Sequence, residues 1–278
     1  MAEAAEARYA GDSAWGCVQD WRDPVGAPVP THAVIERLRF ATHGAAADDA
    51  ALQVTQEHFA RDQRAWWQRL AEWIGVVSSQ DLTGFGRRRR GRSLLGLSMW
   101  NPDVPEGQES GFSTLNLGDL RPFCGEPLTK SQLATCMRLT GEEVRPPLAW
   151  LLLCDARSLM RYGEYRRAVL DAATATELAL TEILDKYATA TATPAVMAKV
   201  KKTKTLGRLN DLARQLVPSV IPADVQARVI DPRNAATHEG QEPTQQIAEL
   251  AMSTAIELVG AAYPLSNFGF GEDPPVTD

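Results

Sequence analysis

"EYRRAVLDAATATELALTEILDKYATA", Glu164 to Ala190, is the stretch whose reading decides the fold. Tyr165, Val169, Ala172, Ala173, Thr176, Leu180, Ile183, Leu184 and Tyr187 recur at three- and four-residue spacing. That period marks one face of an α-helix, here about seven turns long. The small residues of "AATATELA" let a second helix approach closely.

Helical patterns flank it on both sides. "PLAWLLLCDARSLMRYG" carries Leu148, Leu151, Leu152, Leu159 and Met160 and stops at Gly163, a natural C-cap. Pro146 and Pro147 stand where prolines open a helix. Downstream come the amphipathic "LGRLNDLARQLVP", then "PADVQARVIDPRNAATHEG", then "PTQQIAELAMSTAIELVGAAYPL". In the last of these Ile247, Leu250, Ala251, Ile256, Leu258 and Val259 are expected to face inward. Residues 144–265 therefore read as an all-α bundle of four or five helices with short joins, followed by a tail at 266–278.

The first half reads differently. Residues 1–30, with "DPVGAPVP", suggest a flexible arm. In "HAVIERLRFATHG" the alternation of Leu38 and Phe40 with Arg37 and Arg39 suggests a strand, and "AALQVTQ" (Ala50–Gln56) a second. "HFARDQRAWWQRLAEWIGVV" places Phe59, Trp66, Trp67, Leu70, Trp73, Ile74 and Val77 at helical spacing. Large aromatics on an amphipathic helix point to a core rather than to a base-stacking platform. "RSLLGLSMW" and "GFSTLNL" read as strands around the turn "NPDVPEGQESG". The expectation is a small α+β domain over 31–143, and an α+β class for the whole chain.

Composition narrows the function classes. The chain has 278 residues, 44% hydrophobic and 23% charged, which suits one large globular domain or two ordinary ones. "LAWLLLC" is far too short to span a bilayer, which needs about 20 residues. The acidic "MAEAAEARYAGDS" does not read as a signal peptide, so a cytoplasmic protein is expected. Cys17, Cys124, Cys136 and Cys154 show no C-x-x-C spacing, and neither a metal site nor a cofactor is expected. The net charge of −6 argues against wholesale coating of nucleic acid but leaves room for local patches. "GRRRRGR" (Gly86–Arg92) and "KVKKTKTLGR" (Lys199–Arg208) are two of these. Each alone suits a solvated loop. Gly-rich phosphate loops, H-E-x-x-H and G-x-S-x-G are absent from the sequence.

One segment carries chemistry. "DPRNAATHEG" (Asp231–Gly240) holds Arg233, Asn234 and His238. Metal-free RNA cleavage needs a base for the 2′-OH proton, an acid for the leaving oxygen and a cation for the phosphate charge. His exchanges protons near neutrality, Arg forks onto phosphate oxygens, and Asn orients a ring nitrogen or a backbone group without adding charge. Four residues apart, Asn234 and His238 share a helix face, while Pro232 is expected to kink or restart the helix and aim Arg233 outward. A structural role competes: Arg233 pairing with Glu177 or a helix end, and His238 capping a C-terminus before Gly240.

Arg233-Asn234-Ala235-Ala236-Thr237-His238 resembles the R-N-x-x-x-H signature of the HEPN family, helical bundles of bacterial toxins, abortive-infection proteins and CRISPR-associated RNases. "LMRYGEYRRAVLDAATATELALTEIL" is similar to that family's long helix pair, with G-x-Y-x-x-A followed by an Ala-rich stretch and a glutamate, here Glu177. The resemblance covers roughly 145–265. It implies a metal-independent endoribonuclease, a defence or toxin effector working on RNA as a homodimer under an antitoxin or regulatory partner. Arg233 would then hold the scissile phosphate, His238 act as base or acid, Asn234 position the cleft and Glu177 support Arg233. Lys199, Lys201, Lys202 and Lys204 are our additional candidates for steering the RNA backbone. The alternative is a non-catalytic HEPN-like module that dimerises and binds a nucleotide or a protein.

Overall fold

The computed structural model describes residues 16–22, 28–35, 49–78, 80, 97–99, 110–113, 128–191 and 193–271. The chain gathers into two units, Met1–Gln63 and Arg64–Asp278. The first contains the antiparallel strands β1 (Gly16–Arg22) and β2 (Pro28–Ile35) and the start of helix α1 (Asp49–Ser78). The second holds the rest of α1 and the antiparallel pair β3 (Leu97–Met99) and β4 (Ser110–Ser113). Helices follow: α2 (Lys130–Gly141), α3 (Leu148–Arg161), α4 (Tyr165–Thr191), α5 (Pro194–Lys202) and α6 (Leu206–Leu216). Next comes α7, a composite of a π-helical turn (Gln226–Ile230), an α-helical turn (Asp231–Asn234) and a second π-helical turn (Ala235–Glu239). The last long helix is α8 (Gln245–Ala262).

The described residues are almost entirely helical, and this overturns the α+β class expected from the sequence. The strands make two separate two-stranded sheets, β1–β2 and β3–β4. A lone two-stranded ribbon is too narrow to form a layer over its own core, so no α+β domain is present among the described residues of 31–143. "AALQVTQ", expected as a strand, lies in the first two turns of α1. Gln53, Val54 and Thr55 are exposed there, so no core contact rewards an extended backbone, whereas a helix closes its own hydrogen bonds. The Arg37–Phe40 alternation and "GRRRRGR" fall outside the described residues.

Small residues organise the bundle. On α4, Ala168, Ala172, Ala175 and Ala179 are buried beside Val169, Leu180 and Leu184. On α8 the buried face is Ala248, Ala251, Ala255, Leu258, Val259 and Ala262. The two helices pack directly, Ala248 and Ala251 clustering with Val169, and the small buried side chains let backbone and Cβ atoms supply much of the dispersion contact. That choice turns α8 away from the orientation its large side chains suggest. Ile247, Leu250 and Ile256, expected inward, are 37%, 40% and 36% exposed. Leu148, at the first position of α3, is likewise exposed, while Ala149, Trp150, Leu153, Ala156 and Leu159 carry the buried face.

The helix ends follow local chemistry. Gly163, with φ of 75°, ends α3 in a Schellman motif, Glu164 N donating to Leu159 O and Gly163 N to Met160 O. This turn folds α4 back onto α3. Trp150 Nε1 donates to Tyr263 O at 3.0 Å, tying the start of α3 to the end of α8. Thr129 and Gln132 form a capping box on α2. Trp73 of α1 is fully buried against Phe268 and Phe270 and donates to Val144 O at 2.9 Å. Among the described residues, no helix is long and apolar enough to cross a membrane.

The packing yields a contrast between two leucines. Leu180→Ala should lower unfolding free energy by about 2–5 kcal/mol, because it opens a cavity at a fully buried site. Leu250→Ala, compared on monomeric protein, should shift it by no more than about 0.5 kcal/mol. Urea unfolding followed by circular dichroism checks both, and a large loss at Leu250 would contradict the orientation of α8.

Candidate functional site

Pro232 is the local cause of the unusual helix. It has no N–H to donate, and in an α-helix its ring would collide with the carbonyl four residues back. The chain answers by widening the preceding turn. Asp231 N donates to Gln226 O, five residues back, while the backbone on either side stays right-handed. The result is one composite helix running through the proline rather than a break. A second wide turn follows, in which Gly240 N donates to Ala235 O, with Gly240 left-handed at φ 69°. Gln241 N also donates to Ala235 O, at 3.2 Å.

This second turn sets where the candidate residues point. In a regular α-helix, residues five apart stand about 140° apart around the axis. A π turn holds more residues because its bonds close over five rather than four. Each residue of such a turn advances by less than the 100° of an α-helix, so the offset of His238 from Arg233 around the axis falls below 140°. Arg233 is half-buried and its Nη1 donates to Asn234 Oδ1 at 3.0 Å, its other guanidinium donors meeting no acceptor among the described residues. Asn234 thus orients the arginine. The His238 ring is exposed, and among the described residues it makes no hydrogen bond or ion pair.

Glu177 is half-buried on α4 and forms no ion pair with Arg233 among the described residues. It lies eleven residues beyond Arg166, about 16 Å of helix rise, whereas Arg166 itself reaches the turn that carries His238. The lysines sit elsewhere. Lys199, Lys201 and Lys202 occupy the last turn of α5 and Lys204 the join after it, all exposed. Lys199 Nζ donates to Gln215 Oε1 at 3.2 Å. They stand on the hairpin that follows the C-terminal end of α4, a helix about 40 Å long.

Arg166 is a residue the motif alone does not reveal. Its Nε donates to Ala236 O at 3.0 Å, and its Nη1 lies 4.0 Å from Glu242 Oε1. Beside it, Tyr165 Oη donates to Gln245 Oε1 at 3.3 Å. Two adjacent arginines at the start of a long helix were the visible signal, but only packing separates half-buried Arg166 from exposed Arg167. Arg233, Asn234 and His238 thus stand on consecutive turns of α7, and Arg166 of α4 reaches the backbone between them. Such a set can bind an anion and move a proton.

Other reactive groups stand apart from this set. Burial pushes the Cys136 thiol up to about 12, which keeps it protonated and inert near neutral pH. Burial also raises the Asp171 carboxyl, with Arg167 opposing. Among the described residues, no group of three or more His, Cys, Asp or Glu side chains could hold a metal ion. Comparison of the chain with protein-family models, curated proteins and solved structures found no match in any of the three.

The thiol makes a pH prediction. The raised folded pKa means that burial of neutral Cys136 stabilises fully below the unfolded thiol pKa and loses that contribution as pH rises from there toward about 12. Iodoacetamide at pH 8 should therefore label Cys136 only after denaturation, as mass spectrometry of peptides will show. Rapid labelling of the native protein would contradict the burial.

Proposed function

We propose that the chain is a metal-independent endoribonuclease of the HEPN type, acting through Arg233 and His238. What supports the reading is the wide Ala235–Glu239 turn, whose register lessens the angular offset of His238 from an arginine bonded to Asn234. Arg233 contacts the scissile phosphate and neutralises the charge growing on its oxygens. His238 takes the proton from the 2′-OH, whose oxygen attacks phosphorus. The 5′-oxygen leaves with a proton, and a 2′,3′-cyclic phosphate remains. One imidazole serves poorly as both base and acid in one turnover, so a second copy of the chain supplies the partner histidine.

What supports a homodimer is the surface of α8. Ile247 and Leu250 are exposed, and their neighbours Ala248 and Ala251 cluster with Val169, Met160 and Tyr165, at the end of α4 that reaches the His238 turn. A dimer across that surface brings two sites near each other. The exposed lysines of α5 suit the flanking RNA backbone, and the protein would work in the cytoplasm under an antitoxin or regulatory partner, as a toxin or antiviral effector.

Two experiments test the reading. Wild-type protein in EDTA should cleave single-stranded RNA to cyclic-phosphate ends, with His238→Ala and Arg233→Ala each at least about 100-fold slower. Equal rates in wild type and His238→Ala would overturn the catalytic assignment. Sedimentation should show a dimer for wild type and a monomer for Leu250→Glu with unchanged circular dichroism. A binding-only module would keep the dimer and bind nucleotide without cutting.

A further inference from the structure

The geometry points to Arg166 as the positioning residue that holds the His238 turn in its wide register. In an α-helix the carbonyl of Ala236 would accept from the N–H of Gly240, four residues on. Here Gly240 N, and Gln241 N with it, go to Ala235 O instead. Ala236 is completely buried, and its carbonyl accepts the Nε of Arg166 at 3.0 Å. A buried carbonyl left unbonded is costly, so removing the arginine makes one rearrangement favourable. Gly240 N moves to Ala236 O, the turn tightens to α geometry, and His238 rotates away from Arg233.

Arg166 is well placed for this role. Its stem starts in the first turn of α4, beside Tyr165 and next to buried Ala168 and Val169, so it projects from a rigid element. Its Nη1 reaches toward Glu242, just past the left-handed Gly240, so one guanidinium spans both ends of the turn's closure. The Glu242 pair is 4.0 Å long with the carboxylate 72% exposed, a weak tie in water. The Nε–carbonyl bond is therefore the contact that sets the register. The consequence for catalysis rests on the endoribonuclease reading, whereas the register itself does not.

The test uses the full chain, deuterated and labelled with 15N and 13C, as wild type, Arg166→Met, Arg166→Ala and Arg166→Lys. Couplings through hydrogen bonds identify which carbonyl carbon the Gly240 nitrogen senses. The wild type should couple to Ala235. Arg166→Met, which keeps the stem and loses the donors, and Arg166→Ala should couple to Ala236, and Arg166→Lys should restore Ala235. Coupling to Ala236 in wild type, or to Ala235 in whichever donor-free variant folds, overturns the inference. In RNA cleavage the donor-free variants should lose at least tenfold in kcat with KM changed less than threefold, and Lys should recover most of it. Unchanged kcat in a variant whose register has moved overturns the positioning role. A wild type that does not cleave sinks the endoribonuclease reading alone, because the coupling result still decides the register.

Discussion

The close contact between the alanine faces of α4 and α8 is the constraint on which the rest of the bundle depends. Val169 of α4 clusters with Ala248 and Ala251 of α8, and Ala172, Ala175, Ala179 and Ala255 are buried on the same two helices, where a larger residue would overpack the core. Once the two axes are close, α3 completes the core through Leu153, Ala156 and Leu159, and Trp150 pins its start to the end of α8. α7 lies against α4, with its Val229 and Ile230 in the shared core. Its wide turns are then held where Arg166, rooted in the first turn of α4, can reach a backbone carbonyl.

A proline inside that helix converts a packing constraint into a site. Pro232 removes a donor, and the backbone makes room for its ring by widening rather than by breaking. The second wide turn costs one buried carbonyl its ordinary partner, and an arginine from a neighbouring helix supplies the replacement. Local sequence, long-range packing and the direction of His238 are therefore linked through a single hydrogen bond.

Much of the helical half was legible because amphipathic period survives without structure. The buried line of α4 through Val169, Ala172, Ala173, Thr176, Leu180, Ile183 and Leu184 is the one its spacing predicts, and Gly163 ends α3 as a C-cap glycine should. The face of α8 was not legible, because hydrophobicity ranks Ile247, Leu250 and Ile256 above alanine while close packing prefers the smaller residue. In the first half, alternation over a few residues was read as strand at Ala50–Gln56, where the chain is helical. Short periods carry too little information to separate the two. At the site, Arg233, Asn234 and His238 were visible as a motif, but π register is not encoded in residue spacing. Arg166, 67 positions before Arg233, reaches the His238 turn only through the fold.

The most direct measurement is a crystal structure of the full chain with a non-cleavable 2′-deoxy RNA dinucleotide. Its phosphate should lie within about 3 Å of both the Arg233 guanidinium and the His238 ring, with Gly240 N still bonded to Ala235 O. A phosphate bound instead on the Lys199–Lys204 hairpin, with Arg233 and His238 empty of it, would contradict the account.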